Sequence, residues 1–214
     1  MKTFMKVLMN SALLMGLMTL IQFKTEAYQP HSVVVYDRHD GWGGWEKPKK
    51  SCIDTRTNVL ISSSTTDVVF TTNGCNVIRG MWRDEYSVGK TYTIASEIDI
   101  DHLVPIKWAF DHGAKNWDSD YKKQFYNDLA NLMVTSASLN RSKGDKGPDK
   151  WLPPNDRFRC NYVKRFDSVV RRYELNYTEQ EYRYVRKFLT NCTVSGRLSG
   201  MNNTSRYMLL TEYN

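Results

Sequence analysis

The sequence predicts an α+β fold: a region of short strands, then a strand–loop–strand–helix unit, then two antiparallel helices. Three observations predict it. Short apolar runs bounded by turn residues fill 55–98, the pattern of strands. Two further runs, Ile98-Asp-Ile100 and Leu132-Met-Val134, flank a stretch of helical character, and a second helical segment follows them. Beyond 155, apolar residues recur at three- and four-residue spacing, the period of an amphipathic helix.

Taken in order, Val59-Leu60-Ile61 and Val68-Val69-Phe70 are expected strands, and Asn73-Gly74 is a turn. Cys75 to Ile78 opens the next strand, and Tyr92-Thr-Ile94 and Ile98-Asp-Ile100 continue the series. Pro105 suits the first turn of a helix through about Asp111. Asp118 is expected to cap a second helix running to about Leu129. Leu132 to Val134 is a strand, and Ala137 to Asn140 is helical. Gly144 to Pro154, with three prolines, is a loop. Phe158, Tyr162, Phe166, Val169 and Tyr173 line one long helix. Tyr182, Val185 and Phe188 line the other, which the capping box Thr178-Glu-Gln-Glu181 starts. Both stripes read as core.

The chain has 214 residues, enough for one domain with appendages. Residues 1–27 read as a cleaved signal peptide: Lys2 and Lys6 give positive charge, an apolar run extends from Leu13 to Ile21, and Thr25-Glu-Ala27 places small residues at a cleavage site. The run is short of the roughly 20 residues that span a bilayer, so no membrane anchor is expected after cleavage, and the protein is expected to be secreted. Residues 28–51 form a Gly/Pro/Lys-rich arm, expected to be extended or mobile. Its Trp42 and Trp45 either pack on the domain or stack on bases. Residues 52–192 make the folded domain, and 193–214 a polar, loosely held tail. The formal charge of the whole chain is +7; the leader holds a net +2, leaving +5 on the mature protein, a balance that suits a polyanionic partner or simple solubility. No repeat of 20–50 residues is present, which excludes solenoids and propellers.

Cys52, Cys75, Cys160 and Cys192 are an even set in an exported chain and read as two disulfides. No two lie two to four residues apart, which argues against a zinc site. Of three pairings, geometry favours Cys160–Cys192, equally far on either side of a turn near Asn176, and Cys52–Cys75, flanking a turn near Ser64 where the apolar runs pair as a hairpin.

The chemistry concentrates in Asp99-Ile-Asp101-His102-Leu-Val-Pro105 and in Asn131 through Asp145. Hydrolysis of a phosphodiester requires an activated water, a base, and a hard cation held by a few oxygen ligands. Asp101 and His102 are neighbours at the end of a strand and leave on opposite faces, so one can hold an ion while the other acts on water. Asn140, on the helix after the second strand, can close on the same ion through its amide oxygen. Asp99 reads as a structural hydrogen-bond acceptor, and His112 as a surface helix histidine. His31 and His39 are expected to be solvent-exposed in the arm.

These residues resemble the HNH endonucleases, in particular the D-H-x-V-P branch found in GmrSD-type restriction endonuclease C-terminal domains and in secreted HNH proteins. The HNH domain of CRISPR RNA-guided nucleases is similar too: it has an Asp-His pair and two asparagines nine residues apart, as Asn131 and Asn140 are. The likeness is densest over 97–154 and extends loosely from Cys52 to Cys192. It implies a ββα-metal core in which Asp101 and Asn140 bind Mg²⁺ or Mn²⁺, His102 is the general base, and Asn131 pins the loop that orients His102. Arg141, Lys143 and Lys146 beside the ion are expected to contact flanking phosphates. The implied substrate is nucleic acid, DNA before RNA, with weak sequence specificity because no base-reading module is present. The competing readings are a catalytically silent nucleic-acid-binding protein with the same fold and a disulfide-stapled structural protein, which metal-dependent cleavage would separate. No H-E-x-x-H occurs, which argues against a zinc peptidase.

Overall fold

A computed structural model describes residues 35–38 and 41–199. The expected signal peptide, His31, His39 and the tail beyond 199 lie outside the described residues. The fold is α+β, with two small antiparallel sheets and six α-helices among the described residues.

The first element corrects the sequence reading. Val59-Leu60-Ile61 is not a strand but part of helix α1, Thr55–Ser63. Asp54 caps it, its carboxylate accepting a hydrogen bond from the Thr57 amide at 2.8 Å. An apolar triplet fits a buried strand or a helix equally, and here the cap decides. Strands β1 (Val69–Phe70), β2 (Val77–Arg83) and β3 (Thr91–Ile94) follow as one antiparallel sheet in chain order. Gly74 turns the chain between β1 and β2 at a φ of 70°, the left-handed conformation that glycine tolerates.

Strand β4 (Ile98–His102) pairs antiparallel with β5 (Leu132–Ser136), Ile98 opposite Ser136 and His102 opposite Leu132. Between them run α2 (Ile106–Asp111), with Pro105 as its N-cap, and α3 (Ser119–Asn127), capped by Asp118. α3 ends at Asn127, short of Leu129, which begins a 3-10 turn instead. Strand β5 feeds directly into α4 (Ala137–Lys143), whose first turn is capped by the Ser136 hydroxyl. Two long helices close the fold, α5 (Asp156–Arg172) and α6 (Glu179–Ser199). The Thr178 capping box forms as a reciprocal pair: the Thr178 amide donates to the Glu181 carboxylate at 2.8 Å, and the Glu181 amide to the Thr178 hydroxyl at 3.3 Å. α6 extends past Thr193, where the sequence suggested a loose tail, and Tyr182 is exposed rather than core. Val185, with Tyr184, Phe188 and Leu189, supplies its buried face.

Alternation along β4 and β5 separates two cores. Ile98, Ile100, Leu132 and Val134 face one way and pack with Val59 and Leu60 of α1 and Trp82 of β2. Met133 faces the other way, into a larger cluster built on Tyr162, Phe166 and Val169 of α5. That second face of β4 carries Asp99 and Asp101. The arm is not loose where it is described: Trp42 is buried against Phe125 and Trp117, so both tryptophans of the segment serve packing.

Disulfides join Cys52 to Cys75 and Cys160 to Cys192. The second links antiparallel α5 and α6 near the start of one and the far end of the other. The first has a different basis from the one anticipated: it joins the segment before α1 to the turn before β2, with no hairpin between them.

Candidate active site

Asp99 and Asp101, two apart on β4, leave the strand on the same side, and α4 lies along that side. Asn140 and Lys143, three apart on α4, face it together. The Asn140 amide nitrogen donates to the Asp99 carboxylate at 3.1 Å. The Lys143 amine donates to Asp101 Oδ1 at 2.8 Å and to the His102 carbonyl at 2.7 Å, and the Tyr86 hydroxyl donates to Asp101 Oδ2 at 2.7 Å. Burial pushes the Asp101 carboxyl up and the Lys143 amine down, and each is opposed by the other's charge. Two strong hydrogen bonds at each group hold them as an ion pair. Lys143 is 0% exposed, which corrects its expected place among phosphate-contacting residues. A lysine in a basic loop reads as solvated in sequence; its carboxylate partner is 42 residues away.

His102 leaves the opposite side of β4. Its Nε2 lies 2.8 Å from the Tyr126 carbonyl, which only accepts, so Nε2 carries the proton and Nδ1 the lone pair. Trp45 stacks on the imidazole with 2° between planes and 5.6 Å between centroids, and the Tyr126 ring lies 4.6 Å away at a tilt. Burial pushes the histidine down to about 3, so the ring is neutral at physiological pH. Asn131 clamps the backbone that follows. Its side-chain oxygen accepts from the Val104 amide at 2.8 Å, its nitrogen donates to the Val104 carbonyl at 3.3 Å, and its own carbonyl accepts from Leu103 at 2.8 Å.

The strand end opens on a cleft of about 390 Å³ that brings together Asp101, His102, Asn140 and Arg141 with Tyr36 and Arg38 of the arm. Asn131 and Lys143 stand behind it as supports. The Lys146 amine is bonded to the Ser142 carbonyl at 2.7 Å and does not line the cleft. His112 sits elsewhere and is not a surface group: it stacks on Trp108 at 3.6 Å and meets the Glu181 carboxylate at 2.9 Å. Tyr86, Tyr126, Trp45 and Arg38 are the site residues that sequence reasoning missed. Only the aromatic–glycine run around Trp45 carried a local signal, and it did not point to His102, 57 residues away.

The site thus stands on a short two-stranded pairing followed by a helix, with His102 at the end of its first strand. The family of GmrSD restriction endonucleases, C-terminal domain, matches residues 54–188, and this chain belongs to it. An uncharacterized secreted protein of Arthroderma benhamiae (strain ATCC MYA-4681 / CBS 112371) is 34% identical over 155 residues, spanning 72% of this chain and 74% of the relative. No solved structure matches.

Proposed function

We propose that this chain is a secreted, divalent-metal-dependent endonuclease of the HNH type that hydrolyses nucleic acid, DNA before RNA, with weak sequence specificity. The observation that carries this reading is the placement of His102: an imidazole at a strand end, its Nε2 hydrogen-bonded to the Tyr126 carbonyl, in the same cleft as Asp101 and Asn140. With Nε2 committed to that carbonyl, Nδ1 is the nitrogen that would take a proton from water, and the ring is held in one orientation. Asn131 supports that orientation through the Leu103–Val104 backbone.

The oxygen donors of the cleft fit a hard cation. Among the described residues no group of three or more His, Cys, Asp or Glu side chains forms a metal cage. Mg²⁺, however, commonly keeps several waters and needs few protein ligands. Asp101 uses two of about four acceptor positions on Tyr86 and Lys143, and the Asn140 oxygen is free of the bond its nitrogen makes to Asp99. Asp101 and Asn140 would therefore hold the ion, Mg²⁺ or Mn²⁺. When bound, such an ion stabilises negative charge on the phosphate and leaving oxygen. Arg141, exposed and lining the cleft, would contact a flanking phosphate. Secretion is supported by the two disulfides, by the leader-like composition of 1–27, and by the secreted relative.

One observation favours a second reading, a nucleic-acid-binding protein without catalysis: the Lys143 ammonium on Asp101 competes with any metal for that carboxylate. Incubating the purified protein with supercoiled plasmid, linear DNA and RNA, with Mg²⁺ or with EDTA, separates the two. Cleavage that EDTA stops and His102→Ala abolishes supports the nuclease. Binding without cleavage under every metal tried supports the alternative.

A further inference from the structure

Residues 35–53 precede the stretch that the family matches, 54–188, yet part of this arm forms a wall of the cleft. The segment is held on both sides of Arg38. Before it, the Tyr36 ring meets Phe110 edge-on at 5.3 Å and lies under the Lys107 ammonium at 5.5 Å. After it, Trp42 is 1% exposed in the main core. Gly41 and Gly43, at φ of 74° and 70°, let the chain turn on either side of Trp42. The end of the segment is stitched down by Asn127, which accepts from the Glu46 amide at 2.9 Å and donates to the Gly44 carbonyl at 3.2 Å. Arg38 is thus a cation two residues after one anchored aromatic and four before another. It is exposed, and it has no ion pair among the described residues. It shares the cleft with His102, Asn140 and Arg141.

We propose that Arg38 is a substrate-binding residue contributed by the arm, gripping a backbone phosphate of the nucleic acid in the cleft opposite Arg141, so that the site is complete only with residues outside the family-matched region. The inference rests on the nuclease reading for the identity of the anion. A guanidinium suits it, because its planar fork binds two phosphate oxygens at once, whereas an ammonium offers only a point charge. Tyr36, two residues before Arg38, is packed against Phe110, so less freedom is lost when the phosphate binds.

The test uses the full secreted protein in four forms: wild type, His102→Ala, Arg38→Ala and Arg38→Lys. Two quantities are read, plasmid cleavage with Mg²⁺ and the salt dependence of binding to a fluorescent DNA duplex with EDTA. Arg38→Ala is expected to lower cleavage about 10- to 100-fold. It should also flatten the plot of log affinity against log salt by about 0.9, the loss of one phosphate contact on duplex DNA. Arg38→Lys is expected to restore most of the slope and only part of the rate. Arg38 is exposed, so an unchanged thermal melt is expected and removes misfolding as the cause. If Arg38→Ala matches wild type in salt slope, the proposal is overturned, whether or not the protein cleaves. If wild type binds without cleaving and Arg38→Ala still flattens the slope, the nuclease reading fails while the phosphate contact stands.

Discussion

Lys143 shares helix α4 with Asn140, yet its amine turns inward and ends between the Asp101 carboxylate and the His102 carbonyl. An ammonium so placed neutralises the one carboxylate buried at the end of β4 and ties the backbone of His102 to the helix that carries Asn140. Removing it alone leaves a buried charge held only by the Tyr86 hydroxyl. Lys143→Met, which keeps the length and loses the charge, is therefore expected to destabilise the protein by about 3–5 kcal/mol. Adding Asp101→Asn to Lys143→Met should recover much of that loss, since no bare charge then remains. Urea denaturation of the single and double variants measures both. A Lys143→Met protein as stable as wild type would mean that Asp101 does not depend on this partner. At this scale the sequence was partly legible. Asp101, His102, Asn140 and Arg141, singled out from their residue types and spacing, converge on one cleft. The inward lysine, Tyr86 and the Trp45 stack were not legible, because each depends on a partner brought near only by the tertiary fold.

At the scale of the element, the start of α6 shows how a helix end can carry a titration. Glu181 closes the capping box with Thr178 and also receives His112, from the end of α2, and the Trp108 indole N–H at 3.2 Å. Burial pushes this carboxyl up, but the hydrogen bonds from Thr178 and the contact with His112 outweigh it and hold the group below the usual glutamate range. A carboxyl with a depressed folded pKa contributes stability that is present above its unfolded value, about 4.3, and is lost as pH falls through the folded one. Glu181→Gln is expected to cost about 1–2 kcal/mol near neutrality through the weakened cap and the weakened hydrogen bond to His112. It should also reduce the fall in stability between about pH 5 and pH 3. Melts of both proteins across that range check the sign: an equal acid slope would show that Glu181 does not titrate with folding. The box itself was readable because it is local, four residues with a known reciprocal geometry. The strand expected at Val59-Leu60-Ile61 failed for the opposite reason. Three apolar residues fix no period, and the cue lay upstream in Asp54, whose cap on Thr57 starts α1.

Across the whole molecule, the two disulfides divide the work of holding the fold. Cys52–Cys75 closes a separation of 23 residues around α1 and β1, and Cys160–Cys192 closes 32 residues around α5 and most of α6. By loop length alone each stabilises the folded state by about 3–4 kcal/mol through restriction of the unfolded chain. Their structural consequences differ. α6 touches the core through Val185 and the half-buried Tyr184, Phe188 and Leu189, and the second bridge pins its far part to the start of α5. Without that bridge the end of α6 is expected to fray before the rest unfolds. The first bridge fastens the segment that leads from Trp45 into α1, so its loss should loosen the arm that stacks on His102. The stretch 99–145, which carries the proposed site, lies inside neither loop. Cys160→Ala/Cys192→Ala is therefore expected to lower the melting temperature while leaving cleavage at 25 °C within a few-fold of wild type. Cys52→Ala/Cys75→Ala should lower both, the rate falling as the tryptophan stack loosens. Melting curves and plasmid cleavage measured on the two double variants decide the matter. Equal loss of rate in both would show that the bridges act only through global stability, and that the Cys52 tether has no separate role in orienting the histidine.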